Sequence, residues 1–170
     1  MDRSAVLGLA FLCAVLSSPF CAGTARAGSP LVVSDALPRF ASLSSDKVFW
    51  REGPTYDHPV IWIYRRKGLP VEILASYDVW RRVRDADGTV GWVHSSMVSD
   101  RRTVVVRSSR PAPLREHAAV GSPVIALLAP GVVGKLEGCD AIACEVSVSG
   151  ADGWIDKKNI WGVNVGEVFN

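Results

Sequence analysis

Few side chains in this 170-residue chain carry the makings of chemistry. Cys139 and Cys144 stand close together, and three histidines (His58, His94 and His117) are spread along the rest. Four residues separate the two cysteines, so they do not form the Cys-x-x-Cys of a dithiol redox site. Structural zinc takes about four ligands, and no second pair of this kind lies nearby. A disulfide is the expectation. Gly138 and Asp140 favour a turn, and Glu145-Val146-Ser147-Val148 starts a strand directly after Cys144. A reversal there brings the two Cα atoms within the ~4.4–6.8 Å that a bridge needs. Cys144 with His117 is the nucleophile–base combination to weigh, and Cys139 beside it speaks against a free thiolate. Asp85 and Asp87 precede Gly88 as ordinary turn residues. No phosphate loop, dinucleotide fingerprint or metal-ligand cluster is present. The chemistry predicts a protein that is not an enzyme, with no cofactor and no metal.

Binding is better supplied. Trp62, Tyr64, Tyr77 and Trp80 concentrate aromatic rings in one stretch, and Trp92 follows in a Gly-Trp-Val segment. These five are the candidate ligand-binding residues. Strand alternation lets about half of them face outward. Arg65-Arg66-Lys67 and Arg81-Arg82 are placed to meet carboxylates, although solvated charge is the simpler reading. The chain has 19 Lys and Arg against 17 Asp and Glu, which gives no electrostatic case for nucleic acid.

The elements that must hold these residues are short strands. Val60 to Tyr64 is aromatic and β-branched, and Val79 to Val83 alternates. Asp85-Ala86-Asp87-Gly88 makes residues 79–93 a hairpin. The pattern then repeats. Val48-Phe49-Trp50-Arg51, Gly68, Trp80 and Gly91-Trp92-Val93 correspond to Pro113-Leu114-Arg115, Gly131, Cys144 and Gly153-Trp154-Ile155. Cys144 thereby takes the place of Trp80. From Arg51 to Trp92 is 41 positions, against 39 from Arg115 to Trp154, a difference that a shortened hairpin explains. A glycine before each closing tryptophan signals a tight bend or a close backbone approach.

Residues 1–27 read as a signal peptide: Arg3, an apolar run from Ala5 to Leu16, Pro19, then Ala25-Arg26-Ala27 as a cleavage pattern. Cleavage a few residues earlier and lipidation at Cys21 are the alternatives. The apolar run is too short for a stable bilayer span. The expected location is the periplasm or outside the cell, with no membrane-spanning segment after cleavage. Residues 28–45 read as a loose arm, 46–100 as the first module, 101–112 as a basic connector with a possible edge strand at Thr103-Val104-Val105-Val106, 113–162 as the second module and 163–170 as a tail. The predicted fold class is all-β: two tandem small barrels of about five strands each. Modules of about 55 residues have thin cores, so close packing of the two is expected.

These residues resemble the bacterial SH3-like (SH3b) domain family, in tandem, and among its members the small exported proteobacterial proteins of unassigned function. Val48-Phe49-Trp50-Arg51 with Gly53-Pro54 matches the family's first strand, with Trp50 at the usual leucine position. Gly68-Leu69-Pro70-Val71, Trp80 and Gly91-Trp92-Val93 match the later motifs. The second copy lacks the Gly-Pro after Leu114-Arg115. The resemblance spans about residues 37–162. It implies SH3-like barrels and a binding role, with peptidoglycan or an envelope protein or peptide as partner. The alternative is an accessory subunit of a periplasmic complex with no small ligand of its own.

Overall fold

The computed structural model describes residues 36–169. The proposed signal peptide, Cys21 and residues 28–35 of the arm lie outside them. The described residues form one compact unit made of two copies of the same strand plan.

In copy one the strands are β1 (Arg39–Leu43), β2 (Val48–Arg51), β3 (Val60–Tyr64), β4 (Pro70–Tyr77), β5 (Trp80–Arg84), β6 (Val90–His94) and β7 (Val98–Ser99). Copy two repeats them as β8 (Thr103–Val106), β9 (Ala112–Arg115), β10 (Val124–Leu128), β11 (Val133–Cys139), β12 (Ala143–Val148), β13 (Ala151–Asp156) and β14 (Ile160–Trp161). The orders correspond strand for strand: β3-β2-β6-β5-β4-β1-β7 and β10-β9-β13-β12-β11-β8-β14. All pairings are antiparallel. A single 3-10 turn, Ser95–Met97 or Lys157–Asn159, precedes the last strand of each copy.

Each copy therefore has seven strands where about five were expected. The five expected ones are β2–β6 and β9–β13. The additional ones include β7 and β14, which are two residues long and too short to show a period. The others are β1 and β8. Arg39–Leu43 falls in the stretch read as a loose arm, yet Phe40, Ala41, Ser42 and Leu43 are all buried. Thr103–Val106 is not an edge strand. It is buried at every position and lies between β11 and β14. The tail also packs, since Phe169 and Cys139 exchange both backbone hydrogen bonds.

Alternation places the cores. Val48 and Trp50 of β2 point inward with Ala41, Leu43, Val71, Ile73, Val83 and Val93. In copy two Leu114, Leu136, Val146 and Ile155 occupy the same layers with Val104 and Val106. Trp50 is wholly buried. A Cβ at Gly91 would sit 1.7 Å from its Cδ1 atom, so the glycine expected to allow close approach does so by letting the indole lie on the β6 backbone. Gly153 has the same role in copy two, where a Cβ would come within 2.9 Å of Leu114 Cγ and 2.7 Å of the Arg115 carbonyl.

The copies touch directly. Phe40 meets Trp161 edge to face at 5.0 Å, Arg66 donates to the Gly131 carbonyl at 2.9 Å, and Thr103 donates to the Gly68 carbonyl at 2.8 Å. The connector's charges are not all solvated. Arg102 is half-buried, pairs with Glu167 at 2.7 Å and donates to the Gly162 carbonyl. Burial raises the Glu167 carboxyl, but Arg102, the Asn164 N–H and Lys157 outweigh it and hold it below the ordinary range.

Cys139 and Cys144 are bridged, at a Cα separation of 4.0 Å, just under the usual span. They are direct cross-strand partners on β11 and β12. Cys139 spends its backbone groups on Phe169, so the pair sits at a narrow, non-hydrogen-bonded position of the ladder. Asp140 closes the turn by accepting from the Ile142 and Ala143 N–H groups at 2.7 Å, and these donors keep its carboxyl below the usual range. Reduction of the bridge should lower stability by about 1–3 kcal/mol, because the closed loop is short. Free-thiol titration of denatured, unreduced protein from an oxidising compartment should find none from this pair. Two reactive thiols would reject the bridge.

Candidate functional site

The five sequence-selected aromatics do not share one surface. Trp62 is 58% exposed and Tyr64 half-buried on β3, an edge strand, with ring centroids 6.5 Å apart. Tyr64 packs on Trp50 at 4.6 Å, and its hydroxyl donates to Asp85. Burial, then the bond to Asp85, pushes the phenol well above its ordinary value. It is held as a neutral donor. Tyr77 is 62% exposed at the start of the β4–β5 hairpin, opposite Trp80. Trp80 is only 5% exposed, and Trp92 is half-buried across from Arg51 and Arg82. Among the described residues no aromatic contact joins Trp62 and Tyr64 to Trp80.

Trp80 instead belongs to a cluster the sequence reading missed. Tyr56, from the β2–β3 loop, meets Trp80 edge to face at 5.0 Å and stacks on His94 at 6.1 Å. His94, directly across the ladder from Trp80, completes the group at 5.7 Å. Arg51 fixes the loop by donating to the Tyr56 and His58 carbonyls at 3.0 and 2.7 Å, and its guanidinium lies 5.4 Å from the Tyr56 ring centre. Tyr56 remains 67% exposed. The available signal was its place in a loop after Gly53-Pro54, where strand periodicity does not operate.

The ladders also correct the alignment of the copies. Trp92 opposes Arg51 as Trp154 opposes Arg115. His94 then corresponds to Asp156, and their partners are Trp80 and Ala143. Ala143, not Cys144, stands where copy one has Trp80, and Cys144 corresponds to Arg81. The two-residue difference is split. One residue is missing from the connection after β10 and one from the β12–β13 hairpin, so a shortened hairpin accounts for only one of the two.

Two clefts stand out among the described residues. One, of about 510 Å³, lies between the copies, with Tyr64, Asp85 and Asp87 on one side and Arg107, Ser108 and Pro130 on the other. The second, of about 650 Å³, is in copy two, bounded by Arg115, Val120, Ala143, Trp154, Asp156 and Lys157. Both volumes suit small ligands or single side chains with their backbone.

Two small all-β barrels in tandem, each with a long loop (β2–β3 or β9–β10) beside an aromatic or open face, define an SH3-like architecture. The bacterial SH3 domain family matches the chain twice, over residues 44–100 and 108–162, and the chain belongs to that family. Among solved structures it is similar to NlpC2 from Trichomonas vaginalis, at 12% identity with a TM-score of 0.34, over 73% of this chain and 48% of that one. It is likewise similar to NlpC1 from the same organism, at 12% identity and a TM-score of 0.34, over 72% and 45%. The chain spans about half the length of these structures. The comparison with curated proteins gave no match.

Proposed function

We propose that the protein is a non-catalytic envelope binding module, exported by its N-terminal segment, that recognises peptidoglycan or an extended peptide. The observation that carries this reading is the Tyr56–Trp80–His94 cluster. An exposed ring already held by Arg51 and by two neighbouring rings loses little freedom when a ligand lies on it. Membership of the bacterial SH3 domain family supports a binding role. No helix among the described residues is long and apolar enough to cross a membrane.

Sedimentation with purified peptidoglycan tests it. The protein should pellet, and Tyr56→Ala should weaken retention by about tenfold, the scale of one lost aromatic anchor, with the melting temperature little changed. Trp80→Ala is the poorer probe, since that ring is buried and its loss also costs stability. Full retention by folded Tyr56→Ala would overturn the assignment of the site.

A second reading has its own observation. Edge strand β3 exposes Val60, Ile61, Trp62 and Ile63 together, and an apolar edge of this kind is a template for another chain's strand. It supports an accessory subunit. Clean flow-through from peptidoglycan, with a co-purifying protein that Ile61→Lys releases, would favour it.

A further inference from the structure

The corrected alignment gives the copy-two cleft a meaning. In copy one, Tyr56, Trp80 and His94 fill a single space with their rings. Their counterparts in copy two are Val120, Ala143 and Asp156, and all three line the 650 Å³ cleft. Val120 lies as far beyond Arg115 as Tyr56 lies beyond Arg51, and the other two correspond through the ladder. Three ring side chains have been replaced by small or non-aromatic ones, and the vacated volume is open. Its apolar surfaces are Trp154, Ile142, Ile160 and Val163.

The rim carries charge of one prevailing sign. Arg115, Lys157 and Lys158 line the cleft against the single acid Asp156. Lys158 lies 3.2 Å from Asp156 and offsets it. Arg115 commits one N–H to the Ser122 carbonyl at 2.7 Å and keeps the rest of its fork. Lys157 donates to the carbonyls of Asp140 and Glu167 and retains a third proton. Of the other carboxylates around the cleft, Asp140 is engaged with its own turn, Glu167 with Arg102 and the Asn164 N–H, and Glu116 lies 3.8 Å from His117.

We propose that this cleft receives the free carboxyl end of a peptide whose last side chain is a large ring: the ring occupies the space that copy one fills with its own, and the carboxylate faces Arg115 and Lys157. The site is separate from the copy-one cluster. Substitutions at Val120 or Ala143 leave Tyr56, Trp80 and His94 untouched, so the two readings fail independently.

The test titrates the full-length mature protein with acetyl-Ala-Ala-Phe as the free acid and as the C-terminal amide. The acid should shift the amide signals of Val120 and Ala143, and the amide form should bind about tenfold or more weaker, as loss of a charge-assisted contact implies. Ala143→Trp should abolish binding by restoring copy one's own ring. If that variant does not fold, Val120→Tyr serves, because Val120 is fully exposed and its replacement cannot disturb the core. Equal binding of acid and amide, no shift at Val120 and Ala143 with millimolar peptide, or undiminished binding by a folded ring-restoring variant would each overturn the proposal.

Discussion

Gly91→Ala is expected to cost about 3–5 kcal/mol, the scale of losing a buried tryptophan's packing. The added methyl would lie 1.7 Å from Trp50 Cδ1 and 1.9 Å from Nε1, so the indole must leave its place. It has nowhere to go, because Trp50 is wholly buried and wedged against Tyr64 at 4.6 Å. Small domains hold about 5–15 kcal/mol in all, so copy one should be close to unfolding. Gly88→Ala is the control. Gly88 has a φ of 89° and open space around it, so its substitution costs only local backbone strain, about 1–2 kcal/mol. Urea midpoints of the two variants decide the matter. Similar losses would mean that the Trp50–Gly91 contact is not what holds copy one's core together.

That glycine shows what was legible in the sequence. Its place before a closing tryptophan signalled close approach, but not that the ring approached would be Trp50 on another strand. The five strands of each copy were legible from alternating or β-branched runs and from the repeat, although β3 and β10 are mostly exposed and do not alternate. The two-residue strands were not, because no period exists over two positions. The site was legible in composition and not in geometry. Trp62, Tyr64, Tyr77, Trp80 and Trp92 are all in copy one, but pairing register distributes them over different surfaces. Tyr56 and His94, which surround Trp80, come from a loop and a strand end that the sequence pattern does not mark. The match of Cys144 to Trp80 failed because one residue is missing upstream, and a slip of one residue in a strand moves every side chain to the other face. Cys144 is accordingly a core residue bridged to Cys139, while Ala143 carries the consequence for binding.

The same register connects the copies' divergence to their chemistry. Both use an arginine at the end of the first hairpin strand to anchor the following loop, Arg51 to the Tyr56 and His58 carbonyls and Arg115 to the Ser122 carbonyl. What differs is the filling behind the loop. Copy one spends three rings there and presents a solid aromatic face. Copy two has a cross-strand disulfide one residue along from the small Ala143. The bridge pins the β11–β12 hairpin beside a cleft that has lost its internal ring packing. A vacated core position ordinarily loosens the elements around it, and a covalent link across the adjacent pair counters that.

A chain beginning at residue 108 should fail to fold, whereas one beginning at 101 should give a folded copy two of reduced stability. The family match starts at 108 in copy two and at 44 in copy one, and each start falls just after the first strand of the observed sheet, β8 or β1. β8 is not dispensable. It pairs with β11 through Thr103, Val104 and Val105, and with β14 through Val105 and Val106. Without it β14 has no partner strand, the β11 edge is bare, and Val104 and Val106 leave the core. Two fully buried valines contribute about 1.5–3 kcal/mol each. The lost ladder adds unpaired backbone groups that were buried. A module of about 55 residues has little stability beyond that. The 101–170 chain keeps this strand and the Arg102–Glu167 pair, and loses only the contacts to copy one, such as Phe40 on Trp161. Amide dispersion in a two-dimensional NMR spectrum distinguishes the outcomes. A well-dispersed spectrum from the 108–170 chain would show that β8 is an accessory to the second barrel and not one of its structural strands.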